Sequence, residues 1–318
     1  MKIAVLEKAS LGRNVDLSGL DALGETVYYD TTLPEQIAER AADADVLVIN
    51  KLKMNAQMLG NPEKLGLITV TATGVDNFDL EFCRERKICV SNMRGYSTRS
   101  VAQQTFALAL TILNRMEYFT SFVRSGSYIG DTSGDYYQVP IHEIAGKTWG
   151  IVGLGRIGTM VADIASAFGA RAVYCSLSGE DRSSVYQRLS FDELLAESDI
   201  VSVHSPLNEK SQGLFGREAF HKMKSTAVFL NLGRGPIVRE KDLAEAILDG
   251  EIAAAGLDVL DGEPLRADSP LVPLLKDPRL VITPHVGWAS EESRQRAVDE
   301  VVKNIQAYIE GHPRNTCW

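Results

Sequence analysis

The stretch GKTWGIVGLGRIG, residues 146–158, decides the fold class. Its TWGIV run is short, apolar and typical of a buried strand. The segment IGTMVADIASAFG, which begins at the last two residues of the stretch and continues beyond it, has helical periodicity. Between them, Gly153, Gly155 and Gly158 have the spacing G-x-G-x-x-G. In that order such glycines make a tight turn, let backbone approach a pyrophosphate, and let a helix pack closely on a strand. The stretch therefore predicts a dinucleotide-binding domain, with the N–H groups of the helix start facing the phosphates.

Short apolar runs alternate with helical patterns along most of the chain. Downstream of the glycines, the predicted strands are ARAVYC (170–175), DIVSVH (199–204), AVFLNL (227–232), AAAGLDV (253–259) and LVITP (280–284). Upstream they are KIAVLE, TVYYD, DVLVIN, GLITVT and ICVSN. This alternation predicts parallel sheets with helices on both faces. We therefore predict an α/β protein with two doubly wound parallel-sheet domains.

Three segments outside the strands predict where the domains divide. The evenly apolar segment TRSVAQQTFALALTILNRMEYFTSFV, which begins at Thr98, predicts one long helix that links the domains. Residues 124–146 lack a clear period and predict a surface arm that forms a subunit contact. The amphipathic segment EESRQRAVDEVVKNIQAYIE predicts a helix that returns to the first domain. Residues 1–98 plus 290–318 then form a substrate-binding (catalytic) domain, and residues 99–289 form the dinucleotide-binding Rossmann domain.

Composition narrows the class of partner. The 33 Lys and Arg residues against 42 Asp and Glu residues leave a net charge of −9, which opposes binding to nucleic acid or to anionic lipid. The four cysteines have no C-x-x-C spacing, so we expect neither a metal site nor a disulfide framework. No stretch reaches the roughly 18 apolar residues of a membrane span. These features predict a soluble, cytoplasmic protein whose partner is a small molecule.

Polar residues follow several strands of the predicted second sheet. Arg234 follows the fourth strand, the fifth strand carries Asp258 and runs on to Glu263, and His285 follows the sixth strand. Taken singly, each has an ordinary structural explanation, such as a loop cap for His285 or a surface ion pair for Arg234. Ligands of open α/β sheets, however, bind beyond the carboxyl ends of the strands. These residues share that edge with the glycine-containing turn at residues 153–158, which we call the phosphate loop. We therefore predict that they form one active site.

This set of side chains suits hydride transfer between a nicotinamide and a 2-oxo or 2-hydroxy acid. Histidine has the ordinary pKa nearest neutrality, so His285 is the candidate for exchanging the hydroxyl proton. The planar guanidinium of Arg234 matches a carboxylate in two-point geometry. Glu263 favours the imidazolium and fixes the ring. Asp258 is a candidate for holding the nicotinamide amide.

The cofactor-binding residues are predicted from the same edge. They are Gly153, Gly155, Arg156, Ile157 and Gly158 of the phosphate loop, Cys175 and Ser176, then His204, Ser205, Pro206 and Asp258. An acidic residue that holds the ribose 2′-hydroxyl is expected at the end of the second strand, but Cys175 and Ser176 stand there. A small neutral residue leaves room for a 2′-phosphate that Arg182 faces, although Glu180 and Asp181 repel it. We therefore expect NAD, with NADP as the alternative.

The sequence resembles the D-isomer-specific 2-hydroxyacid dehydrogenase family over nearly its whole length. The matching stretches are TGVDNFDL (73–80), GKTWGIVGLGRIG (146–158), LNLGRGPIV (230–238), GLDVLDGEPL (256–265) and TPHVGW (283–288). The resemblance implies a flavodoxin-like substrate domain, a Rossmann NAD(P)-binding domain, catalytic Arg234, Glu263 and His285, and a nicotinamide contact at Asp258. It also implies that Thr73 and Gly74 bind the substrate carboxylate, and that the protein is a homodimer built on the nucleotide domains.

Within that family, the opening of the chain and the stretch GYSTRSVAQQTFALAL are similar to glycerate dehydrogenases, also called hydroxypyruvate reductases. This similarity implies reduction of hydroxypyruvate or glyoxylate to D-glycerate or glycolate. Two alternatives keep the chemistry but change the acid, to a bulkier 2-oxo acid or to phosphoglycerate. A third, from another class, is a non-catalytic protein that senses NAD(H) through binding alone.

Overall fold

The computed structural model describes residues 1–317, which form two units. Unit 1 comprises Met1–Ser97 together with the segment from Trp288 onward, and unit 2 comprises Thr98–Gly287. The sequence analysis predicted divisions at 98/99 and 289/290. Over the described range no helix is long and apolar enough to cross a membrane.

Unit 1 contains a five-stranded parallel sheet in the order β2-β1-β3-β4-β5, which is the flavodoxin-like order. Its strands are β1 (Lys2–Val5), β2 (Glu25–Tyr28), β3 (Val46–Ile49), β4 (Leu67–Val70) and β5 (Cys89–Ser91). The helices are α1 (Lys8–Leu11), α2 (Ser18–Asp21), α3 (Ile37–Ala41), α4 (Ala56–Leu59) and α5 (Leu80–Glu85), with a 3-10 turn at Pro34–Gln36. The two central strands, β3 and β4, are buried at every position because helices cover both faces of the sheet.

Unit 2 contains a seven-stranded parallel sheet in the order β12-β11-β10-β9-β6-β7-β8. Its strands are β6 (Thr148–Val152), β7 (Arg171–Cys175), β8 (Gln187–Arg188), β9 (Ile200–Val203), β10 (Val228–Asn231), β11 (Ala254–Leu257) and β12 (Leu280–Ile282). The helices are α6 (Thr98–Leu113), α7 (Met116–Arg124), α8 (Arg156–Ala167), α9 (Phe191–Glu197), α10 (Arg217–Lys222) and α11 (Glu240–Leu248), with 3-10 turns at Asp135–Gln138, Gly235–Ile237 and Val272–Leu274. The six predicted strands are present, and β8 is an additional two-residue edge strand. The predicted fold class, with two doubly wound parallel sheets, is confirmed.

The prediction of a single long helix from Thr98 was wrong. Helix α6 ends at Leu113, and α7 begins at Met116 after Arg115, whose backbone is left-handed at φ +50°. The N–H of Arg115 bonds the Ile112 carbonyl, three residues back, at 3.2 Å, which tightens the last turn. The Leu113 carbonyl accepts from the N–H of His142 at 3.0 Å instead of from a further helical turn. The returning chain thus satisfies the helix end and permits the break.

The C-terminal helix α12 (Glu291–Ile309) packs within unit 1, as its amphipathic pattern predicted. Ala297, Val298, Val301 and Ile305 from one face join the core that contains Ile3 of β1. Ser290 caps the helix by accepting from the N–H of Ser293 at 3.2 Å. The residues of unit 1 are therefore discontinuous in sequence.

Strand register aligns the carboxyl ends of the second sheet. Cα partners run across six strands in one row: Cys175, Val152, Val203, Asn231, Leu257 and Ile282. The residues that follow this row include Ser176, Gly153, His204, Asp258 and Thr283. The loops that were predicted to carry chemistry consequently begin at one level of one edge.

Candidate active site

The phosphate loop connects β6 to α8, and each of its glycines occupies a different environment. Gly153 has φ +98°, and a Cβ there would lie 2.8 Å from the backbone nitrogen of Ser205. A Cβ on Gly158 would lie 2.2 Å from the Gly153 carbonyl oxygen, so α8 packs directly on the turn. A Cβ on Gly155 would meet no atom within 4 Å. Two of the glycines therefore permit close packing, whereas Gly155 borders open space.

That open space lies at the start of a twelve-residue helix. Gly155 is the N-cap of α8, and no side chain caps the helix there. Arg156 is exposed and Ile157 half-buried in the first turn. Backbone N–H groups and the positive end of the helix dipole therefore face an uncluttered surface, where they favour an anion. A pyrophosphate fits this cradle, and Gly155, Arg156, Ile157 and Gly158 are the residues that would hold it.

The two glycine environments predict opposite consequences of adding one methyl group. Gly155 has φ −87°, which alanine adopts equally well, so Gly155→Ala should leave the melting temperature unchanged. It should raise the Kd for NADH about 5- to 150-fold, because overpacking a site costs about 1–3 kcal/mol. Gly158→Ala should instead lower the free energy of unfolding by about 1–3 kcal/mol, since its Cβ meets backbone. Thermal melts and NADH fluorescence titrations measure both; equal melting temperatures with equal Kd values would contradict the assignment.

At the end of β7, Cys175 is buried and its carbonyl accepts from the N–H of Gly153 at 3.1 Å. Burial raises the pKa of the thiol to about 12, which keeps it protonated. Ser176 lies next to it, with its Oγ 3.1 Å from Ser178 Oγ. The guanidinium of Arg182 lies 2.5 Å from the carboxylate of Glu180, an ion pair that sequence reasoning did not foresee. The strand end therefore carries no carboxylate, and the nearby Arg182 already has an anionic partner.

His204, Ser205 and Pro206 follow β9 beside the phosphate loop. Both ring nitrogens of His204 and the Oγ of Ser205 are buried without a hydrogen-bond partner in the described part of the chain. Buried polar atoms are normally hydrogen-bonded, so unpaired ones next to Gly153 suit a site that a polar ligand completes. Burial lowers the pKa of His204 to about 3, so the ring is neutral at pH 7. Pro206 is exposed.

The neutral His204 makes stability depend on pH. The pKa of His204 is about 3 in the folded protein against 6.5 in the unfolded chain. The contribution of the neutral ring to the free energy of unfolding is therefore complete above pH 6.5 and is lost as the pH falls. Between pH 7.5 and 5.5, the wild-type protein should lose about 1.4 kcal/mol more free energy of unfolding than His204→Gln. Urea titrations at both pH values give the difference. Equal losses in the two proteins would show that the ring protonates freely in the folded state.

His285 and Glu263 form the titratable pair of the site. The Nδ1 atom of His285 lies 2.8 Å from Oε2 of Glu263, and both side chains are about one quarter exposed. Oε1 of Glu263 accepts from the N–H of Leu260 at 3.3 Å, which orients the carboxylate. No other residue of the described chain bonds the ring, so its Nε2 atom is left for a substrate. His285 itself is left-handed, at φ +54°, a conformation that costs a non-glycine residue about 1 kcal/mol or more.

Arg234 is placed by the loop after β10. The loop is folded by Asn231, whose Nδ2 donates to the Arg234 carbonyl at 3.0 Å and whose Oδ1 accepts from Gly233 at 3.1 Å. A Cβ on Gly235 would lie 1.9 Å from the Leu260 carbonyl, so this loop packs against the one that carries Glu263. Nη1 of Arg234 donates to the Gly233 carbonyl at 3.0 Å. The structure thus brings the Arg234 loop against the Glu263 loop, and Glu263 bonds His285.

Asp258 lies at the end of β11 and is 3% exposed. Its carboxylate accepts from Thr283 Oγ1 at 2.6 Å, from the N–H of Val286 at 3.0 Å and from the N–H of Gly287 at 2.8 Å. All three donors belong to the segment that carries His285. Thr283 Oγ1 in turn accepts from Nε2 of Gln104, in helix α6, at 3.1 Å. Sequence reasoning gave no role to Gln104 or Thr283, although Thr283 opens the quoted stretch TPHVGW and Gln104 lies in GYSTRSVAQQTFALAL.

Thr73 and Gly74 lie in unit 1, after β4. The Thr73 hydroxyl donates to the Met93 carbonyl at 2.8 Å, and Asn92 Nδ2 donates to the Thr73 carbonyl at 2.7 Å. These bonds tie the loop to residues 92 and 93, and neither backbone N–H of the pair has an acceptor within residues 1–317. Two such N–H groups suit an anionic ligand.

Comparison with known proteins relates the chain to one group of enzymes. A family model described as "D-isomer specific 2-hydroxyacid dehydrogenase, NAD binding domain" matches residues 106–287. The chain is 36% identical to a hydroxypyruvate reductase of Blautia hydrogenotrophica over 99% of both proteins, and 34% identical to a glycerate dehydrogenase of Methylorubrum extorquens over 91% of this chain and 90% of that protein. Among solved structures, D-lactate dehydrogenase of Aquifex aeolicus, complexed with NAD and lactic acid, has a TM-score of 0.83 at 26% identity, over 98% of this chain and 96% of that one.

Proposed function

Because the chain belongs to the D-isomer specific 2-hydroxyacid dehydrogenase family, we propose that it interconverts a small 2-oxo acid and its D-2-hydroxy acid, with hydroxypyruvate and glyoxylate as the favoured oxo acids. The His285–Glu263 pair carries this proposal, since it supplies a proton carrier at the sheet edge that also holds the phosphate loop. The names of the two relatives support hydroxypyruvate and D-glycerate as the reactant pair.

We assign the catalytic roles to three residues. Arg234 binds the carboxylate of the oxo acid through its planar guanidinium and holds the carbonyl carbon in place. His285 donates a proton from Nε2 to the carbonyl oxygen during reduction and accepts it back during oxidation. Glu263, at 2.8 Å from Nδ1, orients the ring and stabilises the imidazolium before the proton leaves. The nicotinamide, when bound, supplies or accepts the hydride.

The remaining site residues are assigned to binding. Gly153, Gly155, Arg156, Ile157 and Gly158 hold the pyrophosphate, while Cys175, Ser176, His204, Ser205 and Pro206 line the dinucleotide. Asp258 is kept as a candidate nicotinamide contact. The free N–H groups of Thr73 and Gly74 bind the substrate carboxylate. The missing carboxylate at Cys175 leaves both NAD and NADP as cofactors, with NAD preferred because the Arg182 guanidinium is paired with Glu180.

Initial rates test the proposal. Hydroxypyruvate, glyoxylate, pyruvate and a branched 2-oxo acid are each tested with NADH and with NADPH. We expect hydroxypyruvate or glyoxylate to give the highest kcat/KM, with NADH favoured. A branched acid in first place would assign the bulkier substrate class, and tight NADH binding without turnover of any acid would point to a sensing protein.

The surface of unit 2 supports a proposal on assembly. Helix α7 has no buried residue, and α7 and the arm that follows expose large apolar side chains, including Ile129 at 86% and Tyr137 at 78% exposure. A surface of this kind favours a protein contact, and we propose that a second copy of the chain covers it to form a homodimer. Sedimentation equilibrium should give twice the chain mass of 34.8 kDa, and the chain mass itself would refute the dimer.

The four free thiols favour the reducing cytoplasm as the location of the protein.

A further inference from the structure

The segment that carries His285 is held by a hydrogen-bonded chain that reaches helix α6. Gln104 Nε2 donates to Thr283 Oγ1 at 3.1 Å, and the Thr283 hydroxyl donates to Asp258 Oδ1 at 2.6 Å. Oδ1 also accepts from the N–H of Val286, and Oδ2 accepts from the N–H of Gly287. We call Gln104, Thr283 and Asp258 the histidine clamp. Its bonds flank His285 on both sides.

The environment of Asp258 shows that these bonds are not incidental. The residue is 3% exposed, and no cation pairs with it in residues 1–317. A buried carboxylate without a counter-ion depends on its hydrogen bonds, and all three donors come from the segment Thr283–Gly287. Gly287 fits the clamp closely, because a Cβ there would lie 2.7 Å from Oδ2 of Asp258.

His285 needs such restraint because of its own backbone. Its φ of +54° places the backbone in the left-handed region, which is uncommon for a non-glycine residue and persists where the surrounding structure holds it. The bond to Glu263 restrains only the ring, at Nδ1, and the backbone N–H of His285 donates to the carbonyl of Thr283 at 2.9 Å. The clamp supplies a further restraint through Thr283 before the histidine and through Val286 and Gly287 after it.

We propose that Gln104 and Thr283 are positioning residues for the dehydrogenase reaction: through Asp258 they hold the backbone of His285 so that Nε2 reaches the substrate oxygen. The inference rests on the proposed function, in which His285 is the proton carrier. It assigns a positioning role in proton transfer to a helix residue and a threonine hydroxyl, which act through Asp258 and the backbone of the segment 283–287. A catalytic group displaced by about 1 Å loses roughly 100-fold in rate, so even partial release of the loop affects kcat.

Thr283→Val removes the hydroxyl at nearly constant volume, and Thr283→Ser keeps it. We expect kcat to fall about 10- to 100-fold in the valine variant, with the KM for the oxo acid and the Kd for NADH within about twofold of wild type. The serine variant should recover most of the rate. Fluorescence titration gives the Kd without turnover, and thermal melts monitor folding.

Gln104→Met provides a second test with a matched control. It removes the amide donor from α6, and we expect a fall in kcat of about 5- to 10-fold at unchanged KM. Gln103 is the exposed neighbour on the same helix, so Gln103→Met should behave as wild type. A solvent deuterium isotope effect on kcat should increase in Gln104→Met and in Thr283→Val, because proton transfer becomes slower.

Three outcomes would overturn the proposal. They are an unchanged kcat in both clamp variants, a loss in Thr283→Val that serine does not recover, or a rise in the Kd for NADH that matches the loss of rate. The last result would assign the clamp to the cofactor. Absence of turnover in the wild-type protein would instead refute the proposed function, and the two failures are therefore distinguishable.

Discussion

His285→Gln should lower kcat for 2-oxo-acid reduction by about 100- to 10,000-fold, because a general acid–base group contributes that much in rate and glutamine does not exchange a proton near neutral pH. The Kd for NADH should change by less than about twofold, since the ring bonds Glu263 and no part of the phosphate loop. Stopped-flow or steady-state absorbance of the nicotinamide measures the rate, and fluorescence measures the Kd.

His221→Gln is the matched control for this substitution. His221 also belongs to unit 2, but its side chain is 80% exposed and its closest acidic partner, Glu251, is 3.7 Å away. Its replacement should leave kcat within about twofold of wild type. A rate in His285→Gln close to that of wild type would remove His285 from the mechanism, whatever the substrate proves to be.

Arg234→Gln should lower kcat/KM for the oxo acid by about 100- to 1,000-fold, mainly through KM, because the neutral amide cannot form a charged two-point contact with a carboxylate. Arg234→Lys should recover only part of this loss, since a single ammonium group lacks the planar fork of donors. The substitutions leave the backbone bonds of Asn231 to this loop in place, so melting temperatures should stay close to wild type.

Arg239→Gln is the corresponding control, since Arg239 is an exposed arginine just beyond the same turn. We expect its KM to match that of wild type. If Arg234→Gln raises the Kd for NADH and leaves the KM for the oxo acid unchanged, Arg234 serves the cofactor and the carboxylate must bind elsewhere.

The sheet and the grouping of the site were predictable because both follow from local patterns. Apolar runs of strand length mark the buried strands, and parallel strands that share a register end at one edge. Residues that directly follow those runs, such as Gly153, His204 and Asp258, therefore lie at one level of one sheet edge. The adjacency of the loops that carry Arg234, Glu263 and His285 follows from the order of the strands that they leave.

Other features could not be predicted because they depend on single tertiary contacts. Neither Gly nor Pro marks the break after Leu113; the arm residue His142 satisfies the helix end. Strand β8 has two residues, which is too short for periodicity. The left-handed backbone of His285 depends on the contacts around it. The bond from Gln104 to Thr283 joins positions far apart in sequence, and no spacing rule connects a helix glutamine to a loop threonine. The ion pair of Arg182 with Glu180 is local in sequence, but the pattern does not show that these two side chains pair with each other.

The central claim is that this site transfers a hydride to C2 of a small 2-oxo acid and forms the D-hydroxy acid. Hydroxypyruvate reduced with NADH that carries deuterium at both C4 positions, followed by chiral chromatography and mass spectrometry of the product, tests it in one measurement. We predict D-glycerate with deuterium at C2. L-glycerate, unlabelled glycerate, or no product from any of the four oxo acids would contradict the claim.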